Sequence, residues 1–184
     1  MNNKYEWGKS DYISLAVWFI PAAIVTWGIH EVAHWGTGIL LGYDMWITFN
    51  QAGPVEGSYQ SSFHNILVAI SGPVITLIQA VTALLFIKKL SQPRLYSFLF
   101  LAFYLRVVAL GISFMSKPND EAVVSILLGL PMWVIPAVFV AILFALTYMG
   151  SKHLGVGWKG NLLSYVMSSI VVTLVVVLDG IVFD

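Results

Sequence analysis

His30-Glu31-Val32-Ala33-His34 is the one stretch of this chain whose residue types and spacing spell out a chemistry. Residues four apart on a helix share a face, so both imidazoles can reach a single metal ion. Glu31 stands about 100° round the helix from His30, near enough to contact a water on that metal. Zinc lowers the pKa of a bound water towards ~7. Glu31 is then the catalytic general base, taking the water's proton and passing it to a leaving amine. The competing reading is three stray polar residues on a helix. Their setting argues against it, because each ionisable group inside a bilayer costs roughly 2.5–3.5 kcal/mol on insertion scales. Two histidines and a glutamate within five residues need compensation there, and a divalent cation supplies it.

Two histidines do not complete a hydrolytic zinc site, which usually has three protein ligands and a water. Asp120 is the candidate third ligand. It opens a helix after Ser116-Lys117-Pro118-Asn119, on the same side as the His34 end of the first span. An N-terminal capping carboxylate would look the same, and Glu121 and Asp179 are rivals. His64 and Asn65, at the start of the second span, are tentative substrate or cavity residues. An interfacial histidine and an ordinary helix start are the alternatives. Gly72 and Pro73 allow close helix approach and a local kink, shaping the cavity and not reacting. Arg106 reads as one half of a structural ion pair. Trp35 and Trp46 mark interface or packing. His153 falls in a basic loop at the opposite end, and Gly155-Val156-Gly157 is a turn.

The elements that must position these residues are membrane helices. Apolar residues make up 59% of the 184, against roughly 45–50% in soluble domains. Charged residues make up only 10%, too few to cover a soluble surface. The expected architecture is an all-α polytopic membrane protein forming one embedded domain. Apolar runs at 13–41, 63–87, 95–115, 120–149 and 161–179 are long enough to span, the fourth with a kink at its glycine and prolines. Segment 43–62 is a β-hairpin or re-entrant loop: Met45–Phe49 is aromatic and β-branched, and Asn50-Gln51-Ala52-Gly53-Pro54 signals a turn. Residues 150–160 read as a loop. Met1–Tyr12 is polar and expected at the membrane surface. The following apolar stretch is too long for a cleavable signal. No internal repeat is evident. Five spans put Lys4, Lys9, Lys88, Lys89, Arg94, Lys152 and Lys159 on one side and Lys117 alone on the other. Basic residues favour the cytoplasm, so the N-terminus is expected there. Net charge is zero, giving no sign of nucleic-acid binding. The absence of cysteine excludes disulfides, thiolate metal sites and a cysteine nucleophile.

These residues resemble the site-2 protease family of intramembrane zinc metalloproteases. The resemblance rests on Gly28-Ile29-His30-Glu31-Val32-Ala33-His34 in a membrane helix, the β-like loop after it, Ser71-Gly72-Pro73 in the next span, and a distant aspartate. It covers roughly Trp27 to Leu130. It implies a Zn2+ cofactor, hydrolysis of peptide bonds in membrane-embedded protein or peptide substrates, and a loop that holds substrate as an added strand. It also implies that an aspartate opening a later helix is the third ligand, the place Asp120 takes. The family pattern there is Asp-Gly, whereas Glu121 follows Asp120 and the Leu-Asp-Gly triplet stands at Leu178–Gly180. Family active sites lie nearer the cytoplasm, and the basic-residue count places the His34 end outside. The alternative function is a catalytically inactive, protease-like membrane protein that binds metal or a regulatory partner. A haem carrier would need histidines on facing helices, and a di-iron oxygenase more histidines than four. Substrate, cleavage position and oligomeric state stay open.

Overall fold

The computed structural model describes residues 7–183. The polar stretch before Trp7, including Lys4, lies outside the described residues. The chain is an all-α polytopic membrane protein with one small hairpin. In order it forms α1 (Lys9–Leu40), β1 (Met45–Ile47), β2 (Ala52–Pro54), α2 (Ser62–Leu90), a 3-10 turn (Pro93–Leu95), α3 (Tyr96–Met115), α4 (Asp120–Leu127), α5 (Val134–Leu154) and α6 (Trp158–Phe183). Five of these helices are long and apolar enough to cross a membrane: α1, α2, α3 with its 3-10 turn, α5 and α6. They alternate in direction. Trp7 Nε1, just before α1, donates to the Leu154 carbonyl at the end of α5 (2.8 Å). Ser91 after α2 lies 3.3 Å from His153 of α5. The rings of Phe49 and Phe183 meet at the opposite end, 5.2 Å between centroids.

The sequence reads as one kinked helix over 120–149, and the structure corrects this. α4 ends after two turns, and α5 begins only at Val134. Gly129 takes φ +72°, a left-handed conformation that costs glycine least. The Gly129 amide then bonds the Ile126 carbonyl and the Leu130 amide the Ser125 carbonyl, closing a Schellman motif. Pro131, two residues on, cannot continue a helix. At about 12 Å long, α4 is too short to cross and packs instead against α2 and α5. The loop expected at 150–160 is also shorter, because α5 runs to Leu154 and α6 starts at Trp158.

The apolar core fills one half of the bundle. Leu15 and Phe19 of α1, Ile87 of α2, Tyr96 and Leu99 of α3 and Leu154 of α5 are fully buried there. The outward faces are just as apolar, with Ile24, Leu85 and Ile181 among the most exposed side chains, as a lipid-facing surface requires. The other half of the bundle holds the buried charged residues Glu31, Arg106, Glu121 and Asp179 and both buried histidines. Its cover is the hairpin, antiparallel with Met45 opposite Pro54, Trp46 opposite Gly53 and Ile47 opposite Ala52. Met45 packs on Gly38, and its carbonyl accepts from Trp35 Nε1 (3.3 Å). At the tip, Asn50 Oδ1 accepts from Trp27 Nε1 (3.0 Å). Gly38 and Trp27 are eleven residues apart, about 16 Å along α1. The hairpin therefore re-enters the bundle and runs back beside the helix it follows.

Candidate metal centre

His30 and His34 stand one turn apart on α1, both on its buried face: His30 is 6% exposed and His34 5%. Their Nε2 atoms are 3.1 Å from each other. Asp120 Oδ2, from the first position of α4, lies 3.1 Å from His30 Nε2 and 3.4 Å from His34 Nε2. Among the described residues these three form the group able to share one metal ion. For bonds of about 2.0–2.2 Å, a tetrahedral shell has ligand-to-ligand edges of about 3.3–3.6 Å, close to the observed triangle.

The outer partners of the two rings fix which nitrogen faces inward. His34 Nδ1 is 2.7 Å from the Val68 carbonyl of α2, which can only accept. His34 therefore carries a hydrogen on Nδ1, and its neutral form turns a bare Nε2 inward. Thr76 Oγ1 donates to the Gly72 carbonyl (3.0 Å), so its oxygen accepts from His30 Nδ1–H at 3.1 Å. In neutral His30, Nε2 is then also a lone pair. This assignment follows from the partners and the tautomer rule. It leaves two lone pairs and a carboxylate oxygen aimed at one point. A proton can satisfy one pair of such atoms, whereas a divalent cation satisfies all three. The donor set, two neutral imidazoles with outer-sphere acceptors and one carboxylate, fits zinc.

Glu31 is 5% exposed, and its carboxylate makes no hydrogen bond among the described residues, which leaves both oxygens available to a water. Gly72 sits against the site from α2. A Cβ there would collide with His34 Nε2 and His30 Cε1, so only a residue without a side chain lets α2 pass this close. Pro73 follows it, buried in the same helix, and supplies no N–H to the turn before.

The other candidates are not among the three converging ligand atoms. Glu121 Oε1 accepts from Arg106 Nη1 (3.0 Å), the ion pair read for Arg106. Asp179 Oδ1 accepts from the Phe49 amide (2.8 Å) and so pins the hairpin tip to α6. His64, read tentatively as a substrate or cavity residue, is held by the hairpin. Its Nδ1 is hydrogen-bonded to the Tyr43 hydroxyl (2.7 Å), whose oxygen accepts from the Gln60 amide (2.8 Å). It ties the hairpin's base to α2. Tyr59 meets the Tyr43 ring edge-on at 5.2 Å, and burial, then the neighbouring phenol, pushes its pKa above the usual value. Asn65 is half-buried in the first turn of α2, its side-chain amide without a hydrogen bond among the described residues. Thr76 and the Val68 carbonyl, which orient the two rings, carry no sequence signal of that role. A threonine and a backbone oxygen inside an apolar helix look the same with or without a partner.

Comparison of the chain with protein-family models, with curated proteins and with solved structures finds no match.

Proposed function

We infer that this protein is a zinc-dependent intramembrane protease of the site-2 protease type, hydrolysing peptide bonds of membrane-embedded substrates. The observation that carries the reading is the convergence of His30 Nε2, His34 Nε2 and Asp120 Oδ2 within 3.1–3.4 Å of one another, inside an apolar bundle and one residue from a buried glutamate. Zinc bound there would supply Lewis acidity and a water acidified towards ~7. His30 and His34 would hold the ion through inward lone pairs, with Thr76 and the Val68 carbonyl fixing the outer ring nitrogens. Asp120 offsets part of its charge. Glu31 accepts the proton of the attacking water and returns it to the leaving amine. A helical substrate shields its carbonyls in its own hydrogen bonds, so a segment must unwind locally before its peptide bond can approach. The basic-residue distribution supports a cytoplasmic N-terminus, with the metal centre towards the opposite face.

Glu31→Gln removes the base and leaves the ligands in place. The expected outcome is loss of cleavage across a panel of helical membrane peptides, with zinc content equal to that of the parent. Retained cleavage by that variant, with contaminating proteases excluded, overturns the mechanism. Zinc bound by the parent with no turnover on any substrate favours a metal-binding, non-proteolytic protein instead.

A further inference from the structure

Arg106 is a cation in the middle of an apolar helix, 7% exposed. Its Nη1 lies 3.0 Å from Glu121 Oε1 and 3.8 Å from Asp120 Oδ2, the oxygen that faces the histidines. Glu121 is 1% exposed. The pair is only half satisfied, since Arg106 Nε and Glu121 Oε2 are buried without a hydrogen-bond partner. A pair retained purely for packing strength is a poor use of this position, because buried ion pairs seldom outdo apolar residues of the same volume. Its placement suggests another purpose. α4 is eight residues long, too short to hold itself in place without tertiary anchors. Its N-terminus is fastened to α3 at two points, the Asn119 amide donating to Ser113 Oγ (3.1 Å) and the Arg106–Glu121 pair. Neighbouring residues on a helix point about 100° apart. Fixing Glu121 against α3 therefore fixes the direction in which Asp120 points.

We propose that Arg106 and Glu121 are positioning residues that clamp α4 to α3 and so present Asp120 to His30 and His34. This rests on the metal-site reading above. A merely electrostatic role and a positioning role predict opposite signs. Arg106 carries positive charge beside a ligand oxygen, so by Coulomb's law alone its removal favours binding of a cation. If it positions Asp120, its removal weakens binding despite that gain.

The test is the zinc dissociation constant of the purified full chain in detergent, measured by competition with a chromogenic chelator. Glu121→Asp and Arg106→Lys keep both charges and change only reach and fork geometry. Arg106→Gln removes the charge. Outer-shell partners of metal ligands contribute about 10–100-fold to affinity. The expected result is zinc binding about tenfold weaker in the two charge-conserving variants and weaker still in Arg106→Gln. A pair with only a packing role lowers the melting temperature of the metal-free protein and leaves the zinc affinity of the folded fraction unchanged. Parent-like affinity in folded Glu121→Asp, or tighter binding by Arg106→Gln, overturns the proposal. Glu121→Asp is conservative enough to decide the matter should Arg106→Gln fail to fold. Absence of zinc binding by the parent sinks the underlying metal reading, a different outcome from equal binding by parent and variants.

Discussion

At the scale of single residues, the proposed metal centre depends on what is small as much as on what is charged. Gly72 is the point where α2 touches both imidazoles, and there is no room for a methyl group between them. Gly72→Ala is expected to push the rings out of line and weaken zinc binding by about 10–100-fold, the range for losing support of metal ligands, while circular dichroism shows an unchanged helix content. Parent-like zinc affinity in that variant would mean that the rings have slack the geometry does not suggest. The histidines and Glu31 were legible in the sequence because their relation is local: four residues on one helix fix one face. The choice among Asp120, Glu121 and Asp179 was not fully legible, since which way a carboxylate points depends on how its helix is rolled. In space Glu121 turns to Arg106, Asp179 to the hairpin and Asp120 to the histidines. Thr76 and Val68 were invisible for the same reason, being 46 and 34 residues from their histidines.

At the scale of elements, the re-entrant hairpin joins three parts of the chain. Its base is tied to α2 through Tyr43 and His64, its flank to α1 through Trp35, and its tip to α1 and α6 through Trp27 and Asp179. The α6 contact is the easiest to remove without touching the metal ligands. Asp179→Ala is expected to speed hydrogen exchange at the amides of residues 48–51 by about tenfold or more, the loss of one charge-assisted bond of roughly 1.5–3 kcal/mol, with zinc content unchanged. Unaltered exchange there would show that Asp179 does not restrain the tip. The hairpin was foreseeable from its aromatic, β-branched and turn residues, but its path back along α1 was not, because nothing local sets the angle at which it leaves Gly42. The break between α4 and α5 was written in the sequence as Gly129 followed by Pro131. Such residues are common inside membrane helices, so the same letters read there as a kink.

At the scale of the whole molecule, an apolar exterior encloses a bundle whose buried charged groups gather at one end. Orientation in the membrane is the global property that the proposed function needs next. The chain has no cysteine, so any single cysteine introduced is a unique reporter. Lys117 and Lys152 are both exposed and sit at opposite ends of the bundle. On intact cells, a membrane-impermeant maleimide is expected to label Lys117→Cys at once and Lys152→Cys only after the membrane is opened; the reverse pattern would invert the topology. The five-span architecture itself was legible because hydropathy and length are properties of a segment alone. The site was legible only as far as single segments could carry it. That division has a bearing on biogenesis. The ion would be gripped by side chains 90 positions apart, so a nascent chain inserts two imidazoles and a glutamate into lipid well before the ribosome has made their carboxylate counterpart. Until Asp120 arrives, the half-built site holds buried polar groups with no counterpart, and on the proposed reading a bound ion would mark a bundle that has closed.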